Sequence, residues 1–185
     1  LNSAGLSLKD VDAKVIGFPN MVPALANHAV DAAMASEPFA TLGEANGSLV
    51  KIENAYKVRP GDQSATIMFG PSMDKLGKDV ENRFVLAYTR GLRDYNDAFG
   101  PKHKGHDEMV AILVKNTTIK DPSLYDKMGL TYMNPNCSIN APTVAADMDW
   151  YAARGLVPQK PDLTKAIDDS FCQNAVKQLG PYSYT

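Results

Sequence analysis

Apolar and polar positions along this chain follow two rhythms. In the first third they come in short extended blocks separated by turns. Val15–Phe18 predicts a strand closed by Pro19-Asn20, and Val30–Met34 a second one. Leu49–Ile52 and Ser64–Phe69 predict two more, the latter after the turn Arg59-Pro60-Gly61-Asp62. Between them, Met21–His28 predicts a helix of about two turns, with Pro23 tolerated in its first turn. A further helix over Ala40–Glu44 ends near Asn46-Gly47.

The second rhythm is helical. Val80, Phe84, Val85, Tyr88, Leu92 and Tyr95 share one face of a helix predicted over 78–98 and stopped by Gly100-Pro101. His106–Lys115, a helix opening at Pro122, Pro142–Arg154, Leu163–Asp168 and a helix from Ser170 to Gly180 follow. Met133–Ile139 reads as irregular. Trp150 and Tyr151 read as packing residues of their helix. Strand–helix alternation followed by helices without new strands predicts an α/β architecture in which the helical half covers a sheet.

Composition narrows the function classes. With 19 Lys and Arg against 21 Asp and Glu, the formal charge is -2, so nucleic acid is a poor partner. Nothing approaches the roughly 20 apolar residues needed to cross a bilayer. The two cysteines, Cys137 and Cys172, are too few for a zinc site or a disulfide scaffold, and whether they pair stays open. The chain opens on Leu1-Asn2-Ser3 without an initiator Met, which favours a processed chain or a fragment.

Catalytic motifs are missing. There is no Gly-x-Ser-x-Gly elbow, no phosphate-gripping loop, no dinucleotide fingerprint and no Cys-x-x-Cys. His103 and His106 lie three apart but lack a third ligand at metal spacing, and they read as solvent-facing turn residues. The polar residues after the strands carry more. In open α/β sheets, ligands sit beyond the carboxyl ends of strands, facing helix N-termini. Asn20 stands there after the first strand, as an amide for a ligand or as a helix cap. Glu37 stands there after the second, as an acceptor for an amino-bearing ligand or as a structural latch.

These positions bring out a family resemblance. Gly5-Leu6 through Asp10-Val11, Ala24–Ala33 followed by Ser36-Glu37-Pro38-Phe39, Asn82–Asp94, Asp147–Val157 and Ile167–Gly180 resemble, in order, segments of substrate-binding components of ABC importers. The group is the one that binds nitrate, taurine, alkanesulfonates and thiamine pyrimidines. His28 stands where that family often has glycine.

The resemblance implies a periplasmic-binding-protein-like fold of type II, with two α/β lobes. Residues 1–58 would form the latter part of lobe two and 59–185 the returning part of lobe one, in a partial chain lacking the N-terminal part of lobe one. It implies a receptor that captures a small polar molecule in an interlobe cleft and delivers it to a membrane permease, without covalent chemistry, metal or cofactor. Phe18, Asn20, Met21, Glu37 and Phe39 would line the ligand site. The implied location is periplasmic or extracytoplasmic, with a lipid anchor on the full-length protein as one arrangement. Self-association or a missing N-terminal segment would cover the exposed sheet edge. The alternatives are a ligand-sensing domain of a regulator or signalling receptor, and an enzyme similar to pyrimidine-precursor synthases.

Overall fold

The computed structural model describes residues 1, 4–128, 131 and 133–183. About half of these are helical, and among the described residues there is no strand. The α/β, periplasmic-binding-protein-like architecture is therefore corrected to a helical one. The physical reason lies in the runs that carry strand patterns. Residues 12–17, 30–36, 49–54 and 63–69 form neither helix nor strand, and none is joined to another in a ladder. Alternating side chains favour an extended backbone, whereas a sheet also needs a second edge to exchange hydrogen bonds with. Val15, Met34, Val50 and Ile52 consequently stand in solvent.

The chain divides into two compact units, Leu1–Glu53 and Asn54–Thr185. In the first, a short 3-10 turn over Leu8–Asp10 is held by a capping box between Ser7 and Asp10. Helix α1 (Phe18–Ala26) packs on α2 (Phe39–Ala45). Gly43 of α2 is a contact point: a Cβ there would lie 2.6 Å from Leu49 Cδ2 and 3.1 Å from Val22 Cγ2. His28 follows α1 with φ of 54°, in the left-handed region where glycine is the default. That explains why a glycine suits this position better than a β-carbon.

The second unit is built on α5 (Lys78–Phe99), the longest helix at 22 residues. Preceding it are the short helices α3 (Ala55–Val58) and α4 (Pro71–Asp74). After it come α6 (His106–Asn116), α7 (Ser123–Met128), α8 (Ala141–Ala152), α9 (Leu163–Ala166) and α10 (Ser170–Leu179). Helix α10 lies along α5, which also contacts α4 and α6. Their shared core is Val85, Phe171 and Ala175, with Phe69, Leu86, Cys137 and Cys172 packed around it. Phe69 meets the rings of both Phe84 and Phe171 edge-on at 5.7 Å.

The face α5 turns inward is rotated from the predicted one. Glu81, Val85, Thr89, Leu92 and Asn96 are buried, while Phe84 and Tyr88 are partly exposed. Two of the polar residues donate hydrogen bonds inward, while Asn96 Oδ1, like Glu81 Oε2, has no partner among the described residues. Thr89 Oγ1 donates to the Val85 carbonyl at 2.7 Å. Asn96 Nδ2 donates to the carbonyls of Leu92 and Met133. The aromatic pair Trp150–Tyr151 is also exposed; the Trp150 ring is covered by the Arg154 guanidinium at 3.8 Å.

Among the described residues, further ties besides the Asn96–Met133 bond hold the irregular segment 133–140 to the helices. A disulfide joins Cys137 to Cys172, in the first turn of α10. Arg93 of α5 donates to the Pro135 carbonyl at 3.0 Å and to the Gly180 carbonyl, past the end of α10, at 2.9 Å. A cation there also meets the negative end of the α10 dipole. Asp169 accepts from the Ile139 amide at 3.2 Å.

Candidate functional site

The residues predicted to line a ligand site fall in the first unit. Phe18, Asn20 and Met21 occupy the first turn of α1, whose N-cap is Gly17. Asn20 is therefore inside the helix and does not cap it; its side chain is exposed and makes no hydrogen bond among the described residues. Phe18 is exposed, Met21 half-buried, and Phe39 half-buried at the start of α2.

Glu37 is committed on both oxygens. Oε2 accepts from the Thr41 amide at 3.0 Å, capping the first turn of α2. Oε1 accepts from Lys51 Nζ at 3.0 Å, and Lys51 also donates to Thr41 Oγ1 at 2.9 Å. The group closes residues 37–51 into a loop around α2, a latch rather than an open acceptor.

The second unit holds a cavity of about 780 Å³, within the size range of small-molecule sites. The run from Gln63 to Phe69 forms one wall. Lys78, Glu81, Val85, Tyr88 and Leu92 of α5 form another. Residues 133–139 and the segment from Leu163 to Cys172 complete it. Its surface is mostly apolar. The charged groups on it are the carboxylates of Asp62, Asp74, Glu81, Asp168 and Asp169 and the ammonium of Lys78.

Glu81 is the distinctive member. It is 2% exposed, and its Oε2 accepts no hydrogen bond. Lys78 Nζ stands 3.3 Å from that oxygen, close enough for charge attraction but off the directions a hydrogen bond requires. The Lys78 ammonium also lies 4.5 Å over the Phe171 ring, so it is shared between two partners. A buried carboxylate oxygen without a donor is costly, and the attraction of the Lys78 ammonium beside it offsets part of that cost. Nearby, Asp168 is held below the ordinary carboxylate range by hydrogen bonds from the Ser170 side chain and amide, outweighing burial, with Lys78 adding attraction. The cavity therefore carries excess negative charge.

Glu81 was missed because attention to apolar spacing passes over a charged residue on the same stripe. It lies one turn before Val85, and this was the available signal.

Other clusters have structural work. His106 Nε2 meets Asp126 Oδ1 at 2.9 Å, tying α6 to α7, and its ring stacks on His103 at 4.4 Å and meets Phe99 edge-on. His106 is thus packed, in contrast to the solvent-facing turn residue expected. No group of three metal-ligating side chains occurs among the described residues. Neither cysteine is free.

No family model, no curated protein and no solved structure matches this chain.

Proposed function

We propose that this protein is a solute-binding receptor, capturing a small polar molecule reversibly and handing it to the permease of an ABC importer. The observation that carries the reading is the 780 Å³ cavity with a buried, donor-seeking Glu81 in its wall. The ordered sequence islands support the importer context, while the helical fold lends it nothing. Binding of this kind needs no bond-making chemistry. It needs shape, desolvation and a few polar groups that the solute satisfies.

The charge balance selects within the solute class. A carboxylate-rich wall disfavours a bare anion such as nitrate and favours a solute with an amino or amidine group, including zwitterions and aminopyrimidines. The ammonium would be held by attraction to this carboxylate-rich wall, of which Glu81 is part, and Phe69, Val85 and Phe171 would cover the solute's apolar part. The Cys137–Cys172 disulfide fits an oxidising, extracytoplasmic compartment. No helix among the described residues is long and apolar enough to cross a membrane.

A thermal-shift screen against nitrate, taurine, alkanesulfonates, aminopyrimidines and simple amines, followed by calorimetry, tests the reading. An amino-bearing solute should bind, and Glu81→Gln should weaken it about tenfold or more while the fold persists. If no member of the panel binds at millimolar concentration, the receptor reading fails. If a solute binds equally to Glu81→Gln, the site lies elsewhere.

A further inference from the structure

We infer that Asn116 is a modification site, the acceptor of an N-linked oligosaccharide. Three stretches of the chain have the Asn-x-Ser/Thr pattern that oligosaccharyl transfer requires: Asn46-Gly47-Ser48, Asn116-Thr117-Thr118 and Asn136-Cys137-Ser138. The pattern does not distinguish them, but their surroundings do.

Asn116 is the last residue of α6, and the backbone becomes extended at Thr117, with φ of -117° and ψ of 178°. In extended backbone, successive side chains point to opposite sides. Thr117 turns inward, where its Oγ1 lies 2.6 Å from the hydroxyl of Tyr125, a buried residue of α7. Thr118 is exposed, and its hydroxyl makes no hydrogen bond among the described residues. Asn116 is exposed too; its Nδ2 donates to the Ile112 carbonyl at 2.8 Å, a bond that water can replace at a helix end.

The other two stretches are engaged in the fold. Asn136 Oδ1 accepts from Arg93 at 3.3 Å, Cys137 is in the disulfide, and Ser138 Oγ accepts from Asn134 at 2.9 Å. Asn46 Oδ1 accepts from the Ser48 amide at 3.0 Å, and that amide also donates to the Gly43 carbonyl at 2.8 Å, folding the tripeptide back onto α2.

A glycan on Asn116 also has apolar surface to cover. Ile112 stands one turn earlier on the same face of α6 and is 47% exposed. No residue of α6 lines the 780 Å³ cavity, so the assignment is independent of solute binding. The Cys137–Cys172 disulfide fits the extracytoplasmic compartments in which such transfer takes place. The donor is a polyprenyl-diphosphate-linked oligosaccharide. Asn116 Nδ2 bonds to the anomeric carbon of its first sugar, and the bond from that carbon to the diphosphate oxygen breaks. The lipid diphosphate leaves with the electron pair, and Nδ2 gives up one proton.

Glycopeptide mass spectrometry of the full chain, produced in and purified from the organism that encodes it, tests the assignment. The peptide containing Asn116 should carry sugar on most molecules. Thr118→Ala should remove it, and Thr118→Ser should keep it. Thr117→Ala alters the contact with Tyr125 but leaves the acceptor pattern, so its glycan should persist. Circular dichroism checks that each variant keeps its helices. Unmodified Asn116 in the wild type overturns the inference, whether or not Asn46 or Asn136 carries sugar. So does a glycan that survives Thr118→Ala, or one lost from a folded Thr117→Ala variant.

Discussion

Removing the Cys137–Cys172 disulfide is expected to cost the second unit about 4 kcal/mol. The two residues are 35 apart in sequence, and the entropy of closing a loop of that size, about 13 cal/mol/K, corresponds to about 4 kcal/mol at 25 °C. Both sulfurs also pack against the Val85–Phe171–Ala175 core, so the bond fixes segment 133–140 where α10 begins. The perturbation is Cys137→Ala with Cys172→Ala, which avoids placing hydroxyls against the core. The assay is urea denaturation followed by far-UV circular dichroism, comparing the double variant with wild type under oxidising and reducing conditions. Wild type with reductant should fall to the level of the double variant, and the double variant should be indifferent to reductant. A loss below about 1 kcal/mol would refute the loop-closure reasoning, because it would mean that segment 133–140 is already ordered by Arg93 and Asp169 alone.

Other perturbations probe separate ties. Arg93→Ala should destabilise the second unit by about 2 kcal/mol, since charge-assisted bonds to the carbonyls of Pro135 and Gly180 are lost together; an unchanged urea midpoint would count against that role. Tyr182 is pushed up to about 12, first by burial and then by its hydrogen bond to Asp97. Its contribution is full below the unfolded value of about 10 and is lost as pH rises through about 12, so Tyr182→Phe should flatten stability over that window. Burial works against ionisation of Asp97, but hydrogen bonds from Tyr182 and Lys102, helped by the charges of Lys102 and Lys104, hold its carboxyl below the ordinary range. That contribution is present above the unfolded value and lost as pH falls through the lowered one, giving an acid limb as well. Urea midpoints against pH, with ultraviolet titration of tyrosinate, read both limbs. Glu37→Ala should cost about 1–2 kcal/mol through loss of the α2 cap and the Lys51 pair. Solute affinity that fell with no change in stability would make Glu37 a ligand contact instead.

Helices were the legible part of this chain. Apolar spacing from Val80 to Tyr95 requires α5, and Gly100, Gly155 and Gly180 stop helices within a residue or three of their ends. These signals are local: spacing at 3.6 residues and glycine stops act through neighbours in sequence. The candidate site was only partly legible. Glu37 was visible as a latch or a ligand contact, but its choice between them rests on Lys51, whose arrival depends on the path of the chain through residues 45–51. Glu81 was hidden because a carboxylate on an apolar stripe becomes informative only once its burial is known.

By itself the sequence determined where the longer helices lie, because propensity and hydrophobic period act over a few residues. Tertiary structure decided everything that depends on a partner. It rotated α5 so that Glu81, Thr89 and Asn96 face inward, with Thr89 and Asn96 finding carbonyl acceptors and Glu81 facing the cavity. It paired Cys137 with Cys172. It also left the strand-patterned runs without ladders, since β structure is a property of two edges and a sequence pattern describes only one.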